Sequence, residues 1–458
     1  MRSSFLIILS FIPAFIFPGT LAAQNITAEE NYAANSPGVV MVQTVFSATV
    51  YVNKVEVNSR QFDRLVDSVR KIDPQNTVFS AEEKLDMVVK ALYNLPFRYF
   101  SGTTEYYRQQ HRILSAGTGF FITGDGYLLT NAHIIDRDST FVRKKFIQST
   151  FQEVTDANIR ALESSWNMKL NDEQRSLLSN AYSAIYSQVS SMILFNLKRD
   201  IFIQFKGKNE AENIVKMPAR VIIKGSPMPG KDVAILKVDS VSQMPTLSFA
   251  RDSMAKIGET IYVYGYPEPV SSNTFLAKEA GIEPTLTAGI VSAIKKSTGG
   301  WPVIQMDAAI SHGSSGSPVC NSRGKVIGLA TFGTLEQRTG SLASSYNFAI
   351  PLSIIRQFID SAKIKPAMSE AALHYNEGLH FFFNRYYRKA LSNFNLVSKL
   401  NKSYPHLDQY IRVSTEKKKA GEDRDLFDHD TVFRIMAILI VAGGLYFVFK
   451  RRRKRFSN

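Results

Sequence analysis

The chain has 458 residues, 45% of them hydrophobic, which is enough to build two or three domains with a buried core. Its formal net charge is +15, but six basic residues are clustered at 450–455 and no other dense basic stripe occurs, which argues against nucleic-acid binding. The only cysteine is Cys320, which excludes an intramolecular disulfide and hence the disulfide-stapled class of secreted proteins. We expect Cys320 to be a small buried hydrophobe rather than a reactive thiol.

The N-terminus has the layout of a cleaved secretory signal over residues 1–23. One basic residue, Arg2, precedes an apolar run at 5–17, and small residues stand at Ala22 and Ala23. A short N-terminal membrane anchor is the alternative interpretation.

The C-terminus predicts a single transmembrane helix over residues 431–449. The run is apolar from 432 onwards apart from Arg434, whose long side chain can reach the membrane interface. The basic cluster that follows it should keep the tail, residues 450–458, on the cytoplasmic side, with the rest of the chain on the other side. A buried core helix is the alternative, and the basic residues directly after the run argue against it.

Between the ends, predicted strands alternate with helical segments. A Pro-Gly turn opens a first strand at 36–44, and apolar residues at three- and four-residue spacing then predict a helical insertion at about 58–110. A hairpin follows, because the turn Gly124-Asp125-Gly126 joins two apolar runs. A second helical insertion is predicted at 141–197. Short strands punctuated by Gly and Pro continue to Pro351 and indicate β-barrels or a sandwich.

After Pro351 the strand pattern stops, and residues 363–415 predict a helical hairpin. Gly378, Ala390 and Phe394 have spacings similar to one tetratricopeptide hairpin, although a single unit cannot bury its own face. A generic hairpin docked on the preceding domain or on a second subunit is the preferred interpretation. Residues 416–430 form a linker of mixed charge.

Three short motifs supply residues for nucleophilic catalysis. His133 follows the second strand of the hairpin, Asp232 opens the apolar run DVAILKV, and Ser315 lies in the segment GSSGSP. A serine hydroxyl needs a base, a histidine has a suitable pKa, and a buried carboxylate can hold the imidazole in one tautomer. Gly313 lets the backbone turn so that its own amide and that of Ser315 point at one spot, where they can stabilise an oxyanion.

In these motifs the chain resembles trypsin-fold serine proteases of the HtrA (Deg) type, with the histidine, aspartate and serine in the chymotrypsin-like order. The stretches that carry the resemblance are GTGFFITGDGYLLTNAHII, DVAILKV, LTAGIVSAI, QMDAAISHGSSGSPV, GKVIGLAT and NFAIP. The resemblance implies a mainly β protein with helical insertions, in which residues 24–362 form two perpendicular six-stranded barrels with the site between them. It further implies His133 as base, Asp232 as its orienter, Ser315 as nucleophile, and the amides of Gly313 and Ser315 as the oxyanion hole, with the Ser314 amide assisting.

The sequence departs from the family pattern at several positions. Ser314 stands where Asn is usual, and Ser317 stands where Gly is common. His312 is a second histidine next to the nucleophile, but a neighbour on the same loop points the wrong way for a base. We expect no peptide-binding PDZ module after Pro351.

The resemblance also places the substrate pocket. Ala309, six residues before the nucleophile, should lie at the floor of the primary specificity pocket beside Ile310, with Thr331, Phe332 and Gly333 completing it. No acid is present there to pair a Lys or Arg side chain. We therefore expect cleavage of polypeptides after small or medium aliphatic residues.

The overall expectation is a serine endopeptidase held in a cell (inner) membrane, with its protease domain periplasmic or otherwise extracytoplasmic and its substrates misfolded or specific envelope proteins. Neither a cofactor nor a metal is expected, and a homo-oligomer remains open. The alternatives are a catalytically silent or latent scaffold that binds an envelope partner, and an esterase acting through the same site.

Overall fold

The protein is described by a computed structural model. The described residues are 26–75, 77–136, 139–167, 169–189, 193–207, 214–251, 255–271, 275, 280–335, 342–424, 436–444 and 446. The predicted signal segment 1–23, residues 425–430 of the predicted linker and the basic tail lie outside them. Within 431–449 the described residues 436–444 are helical, and no helix among the described residues is long and apolar enough to cross a membrane.

The first half of the domain is a closed barrel of six antiparallel strands. Around the barrel, the hydrogen-bonded strands follow one another in the order β1, β2, β3, β6, β5, β4. Alternate residues such as Val40, Val42 and Leu128 point inward and are fully buried, because successive side chains of a strand face opposite sides. The strands are β1 (Val39–Val57), β2 (Phe100–Phe121), β3 (Tyr127–Thr130), β4 (Ile193–Lys206), β5 (Ile214–Lys224) and β6 (Ala234–Lys237).

A second closed barrel follows, with the strand order β10, β11, β12, β9, β8, β7. Its core is continuous with residues of the first barrel, since Val39 and Phe120 share one buried cluster with Ile304 and Ile350. The mainly β fold with helical insertions is therefore confirmed. The strands are β7 (Thr260–Gly265), β8 (Thr285–Lys296), β9 (Pro302–Met306), β10 (Pro318–Asn321), β11 (Val326–Leu335) and β12 (Leu342–Pro351).

The first helical insertion is shorter than its predicted range of 58–110. Its helices are α2 (Ser59–Ile72), α3 (Ala81–Asn94) and α4 (Pro96–Tyr99), and β2 begins at Phe100. Residues 100–110 are strand because they pair with β1 from Val57 back to Thr49. They lack a clear apolar alternation, so the pairing partner decided their structure.

The second insertion likewise ends earlier than its predicted range of 141–197. Its helices are α6 (Ser139–Trp166) and α7 (Asp172–Val189), and β4 starts at Ile193. Helix α5 (Ala132–Ile135) is a single turn between β3 and this insertion. Two other helices lie outside the insertions: α1 (Ala28–Asn35) precedes β1, and the single turn α8 (Glu268–Ser271) follows β7.

The two insertions form one helical layer with its own core. Strands β1, β2 and β4 extend beyond the first barrel as a three-stranded ribbon, and helices of both insertions pack on one face of it. Between the insertions, Phe62 of α2 stacks on Trp166 of α6 with ring centroids 5.1 Å apart. The buried residues of this layer include Phe46, Val50, Val52, Val89, Leu92, Phe100, Phe146, Ile159, Leu178 and Ile185.

Helix α9 (Leu352–Ser361) packs against the barrels, and three further helices form a C-terminal unit within residues 370–419. They are α10 (Glu370–Phe383), α11 (Tyr387–Leu400) and α12 (Leu407–Lys419), and they enclose a core around Tyr375 and Phe394. Helix α12 crosses the predicted boundary at 416, because its last turn carries three lysines that complement the helix dipole. The Ser369 hydroxyl donates to the Met244 carbonyl at 2.8 Å, which docks this unit on the first barrel.

Candidate active site

Pairing between two strands brings His133 and Asp232 together although they are 99 residues apart in sequence. Strand β3 pairs with β6 so that Thr130 lies opposite Ala234. His133 comes three residues after Thr130, and Asp232 comes two residues before Ala234, so both lie at the same end of this strand pair. The His133 Nδ1 atom lies 2.6 Å from Asp232 Oδ2, and the His133 backbone N–H donates to Oδ1 at 2.8 Å. A carboxylate that accepts from Nδ1 leaves Nε2 free to act as a base.

Asp232 is fully buried, and its carboxylate has a further donor. The Thr331 hydroxyl donates to Oδ2 at 2.7 Å, and the Asn131 side-chain amide donates to the Asp232 carbonyl at 2.7 Å. Buried charge is tolerated only with such partners, so these bonds hold the carboxylate in place under the imidazole. The Thr331 hydroxyl is thus used by the carboxylate, and the place of Thr331 in the substrate pocket stays a prediction.

Ser315 lies on the loop between β9 and β10, where Gly313 and Gly316 have φ angles of +90° and +87°. A Cβ at Gly313 would collide with the Tyr266 carbonyl oxygen, so both the dihedral angle and the space require glycine. The Ser315 hydroxyl donates to the Thr331 carbonyl at 2.7 Å. Among the described residues no hydrogen bond joins this hydroxyl to the His133 ring.

The two expected oxyanion donors are the backbone amides of Gly313 and Ser315. Each belongs to a peptide unit whose carbonyl oxygen, on the preceding residue, accepts a hydrogen bond. The His312 carbonyl accepts from Glu268 N at 2.6 Å, and the Ser314 carbonyl accepts from Ser317 N at 3.1 Å. In a trans peptide the N–H points opposite to the C=O, so these bonds set the directions of the Gly313 and Ser315 amides. Neither amide has a hydrogen-bond acceptor within the described part of the chain.

The Ser314 amide does not fit the assisting role expected for it. Its N–H donates to the Ser311 carbonyl at 2.9 Å, and its buried hydroxyl accepts from Ser311 N at 3.3 Å. The turn between Ser311 and Ser314 therefore uses this donor, which was not apparent from the sequence.

Thr118 of β2 is a site residue that the sequence reasoning missed. Its side chain is fully buried, and its hydroxyl donates to the Gly313 carbonyl at 2.8 Å and accepts from Tyr266 N at 3.0 Å. Its backbone N–H donates to the Ser315 carbonyl at 2.7 Å. The residue thus ties the first barrel to the nucleophile loop. A polar residue between two glycines, Gly117 and Gly119, was the available signal.

The expected substrate pocket is only partly described. Ala309 is exposed and Ile310 is half-buried, and the Ala309 carbonyl accepts from the Thr287 hydroxyl at 2.9 Å. Phe332 and Gly333 lie in β11, where they pair with Phe348 and Asn347 of β12, and the Phe332 side chain is outside the described set.

His312 and Cys320 are both separate from the catalytic groups. The His312 side chain is exposed on the loop. Cys320 is fully buried in the joint core of the barrels, and burial raises the pKa of its thiol well above the ordinary range. A thiol in that environment is inert.

The chain is similar to several known proteins. Residues 117–329 match the family described as the trypsin-like peptidase domain. A probable periplasmic serine endoprotease DegP-like of Rhizobium meliloti (strain 1021) is 25% identical over 54% of this chain and 32% of its own length. The serine endoprotease DegS of Escherichia coli (strain K12) is 28% identical over 28% of this chain and 34% of its own length.

The chain therefore spans only about a third of the length of these two curated relatives. Among solved structures, the HtrA-type protease AlgW with a decapeptide aligns over 74% of this chain and 68% of that chain. The identity is 17% and the TM-score is 0.38. Residues 117–329 are therefore similar to trypsin-like peptidase domains, and the chain is similar to serine endoproteases of the DegP and DegS type.

Proposed function

We propose that the protein is an HtrA-like serine endopeptidase that works through an acyl-enzyme. His133 Nε2 takes the proton of Ser315 Oγ as that oxygen attacks the peptide carbonyl carbon, and the Gly313 and Ser315 amides bind the resulting oxyanion. The imidazolium gives its proton to the leaving amine, and a water molecule then hydrolyses the ester with His133 again as base. The observation that carries the proposal is the 2.6 Å contact between His133 Nδ1 and the buried Asp232 carboxylate.

A latent form of the same site is the second candidate, and one observation favours it. The Ser315 hydroxyl donates to the Thr331 carbonyl, so it must exchange this acceptor for the imidazole before it reacts. A substrate amide that bonds to the Thr331 carbonyl would release the hydroxyl. In a silent scaffold the exchange would never occur.

Labelling with a fluorophosphonate probe separates these candidates. Detergent-solubilised wild-type protein should be labelled, and the Ser315→Ala and His133→Ala variants should not. Labelling that appears only when an unfolded polypeptide such as casein is added would indicate the latent form. Absence of labelling under both conditions would support the scaffold. Comparing casein with a short-chain ester as substrate then distinguishes a protease from an esterase.

The substrates that we propose are extracytoplasmic polypeptides cut after small or medium aliphatic residues. The absence of an acidic residue at Ala309 and Ile310 supports the side-chain preference, and the printed description of the R. meliloti relative as periplasmic supports the location. A peptide library read by mass spectrometry tests the preference, and cleavage mainly after Lys or Arg would contradict it.

We propose further that residues 431–449 anchor the chain in the inner membrane with the tail at 450–458 in the cytoplasm. The apolar run and the basic cluster of the sequence support this arrangement. Protease accessibility of the tail in spheroplasts tests it. Homo-oligomerisation is open to measurement by light scattering in detergent.

A further inference from the structure

The ribbon that carries the helical layer begins beside the nucleophile. Thr118 of β2 donates its backbone N–H to the Ser315 carbonyl, and β2 continues without a register shift from this point back to Tyr106, which pairs with Asn53 of β1. The start of this extended strand therefore lies beside the nucleophile.

One edge of this strand is open. Strand β2 pairs with β1 on one side, while on the other side it pairs with β3 only at Phe120 and Phe121. The N–H groups of a strand alternate between its two edges, and that of Thr118 points to the open side. By this alternation the backbone N–H and C=O groups of residues 106, 108, 110, 112, 114 and 116 point there too. No described strand pairs with them.

The side chains at these six positions have a distinct composition. They lie on the face opposite to the helical layer, and Leu114 and Tyr106 are 58% and 48% exposed. Arg108 and Arg112 are the only residues among the six that carry a charge at neutral pH, and both are exposed. An open edge with exposed apolar and cationic side chains suits an extended peptide with apolar and acidic residues.

The direction of such a peptide follows from the expected pocket. Ala309 and Ile310 lie on the second barrel and are expected to hold the residue before the scissile bond. Ser315 lies between that side and Thr118 of the first barrel, so the part of the substrate after the scissile bond is the part that reaches β2. This part would run from Thr118 towards Tyr106, antiparallel to β2.

We propose that the open edge of β2 from Ala116 to Tyr106 binds the leaving-group half of polypeptide substrates as an added β-strand, with Arg112 and Arg108 selecting acidic side chains. At about 3.4 Å per residue, the carboxylates would stand roughly six and ten residues after the scissile bond. This inference rests on the proposed endopeptidase function.

The first test compares peptide substrates that share one cleavage site. A short peptide ends two or so residues after the scissile bond, and long peptides extend it by about twelve residues with either Glu or Lys at the two selected positions. For the wild type we expect kcat/KM to be about tenfold higher for the Glu peptide than for the Lys peptide, mainly through KM. The double variant Arg108→Glu/Arg112→Glu should reverse this order and cleave the short peptide as well as the wild type does.

A matched control is the double variant Arg143→Glu/Arg160→Glu, which makes the same charge change at exposed positions of α6. It should keep the wild-type preference. Equal cleavage of the Glu and Lys peptides by the wild type, or the same loss in both double variants, would overturn the proposal while endopeptidase activity on the short peptide still stands.

A binding measurement makes the test independent of turnover. The Ser315→Ala protein should bind the fluorescent Glu peptide in an anisotropy titration, and N-methylation of alternate backbone amides should abolish binding in one register and leave it in the other. Equal effects in both registers would overturn strand addition. If binding depends on the register but the wild-type protein cleaves none of the peptides, strand addition at the open edge of β2 would be supported and the proposed endopeptidase function contradicted.

Discussion

Removing the hydroxyl of Thr118 tests how the nucleophile loop is held. The change Thr118→Val keeps the shape of the side chain but leaves the Gly313 carbonyl and the Tyr266 N–H without their partner. Each buried polar group left unpaired costs about 1–3 kcal/mol, so we expect a loss of about 2–6 kcal/mol in the free energy of unfolding. The residue is fully buried, so solvent cannot replace the lost bonds.

The catalytic effect of Thr118→Val should be separable from this loss of stability. The Gly313 carbonyl and the Gly313 amide lie on the same residue, so freeing one disturbs the other. Removing an oxyanion donor outright costs roughly 100- to 1,000-fold in kcat. We expect a displaced donor to cost about 10- to 100-fold in kcat, with KM little changed.

Steady-state peptide hydrolysis, measured well below the melting temperature of each variant, checks this expectation. Thr118→Ser restores the hydroxyl and should recover kcat to within about threefold. Thr44→Val is the matched control, because this buried threonine of β1 has a hydroxyl with no partner among the described residues. Wild-type kcat in Thr118→Val, or an equal defect in Thr118→Ser, would refute the reasoning.

Three further predictions concern single groups. Asp232→Asn should lower kcat by about 10⁴-fold with little change in melting temperature, because the imidazole loses its tautomer and its counter-charge; a loss below tenfold would contradict the role of this carboxylate. Burial lowers the pKa of His406, so on acidification the unfolded chain binds a proton at a higher pH than the folded chain does. Unfolding titrations should therefore show the free energy of unfolding falling as the pH drops below about 6.5, the ordinary pKa of histidine. His406→Asn, which tolerates the left-handed backbone at φ 61°, should remove that pH dependence. The Cys320 thiol should resist iodoacetamide in the folded protein and react only in denaturant, and rapid labelling of the native protein would show that the barrel core opens.

Patterns confined to a few neighbouring residues were readable from the sequence. The turn at Gly124-Asp125-Gly126 between apolar runs predicted the β2–β3 hairpin, and His133 directly follows that hairpin in the structure. Asp232 and Ser315 stood out because their flanking residues are strand and turn formers, respectively. Local backbone preferences are sufficient for such assignments.

Segments whose structure depends on a distant partner were not readable. Residues 100–110 and 193–197 were expected to be helical, and they are strands because β1 pairs with both. The same applies to the merging of the two insertions into one core, in which Leu92 and Leu178 share a cluster. Strand propensity depends on what a strand pairs with, and that partner is far away in sequence.

The sequence by itself determined which residue types carry the chemistry and in what order they occur along the chain. Only the tertiary structure decided which hydrogen bonds connect them. The Thr331 hydroxyl donates to the Asp232 carboxylate, and the Ser315 hydroxyl donates to the Thr331 carbonyl. The Ser314 amide donates to the Ser311 carbonyl within its own turn. The physical reason is that a hydrogen bond needs donor and acceptor within about 3 Å in a defined direction. Two barrels folded against each other set such distances, and residue spacing along the chain does not.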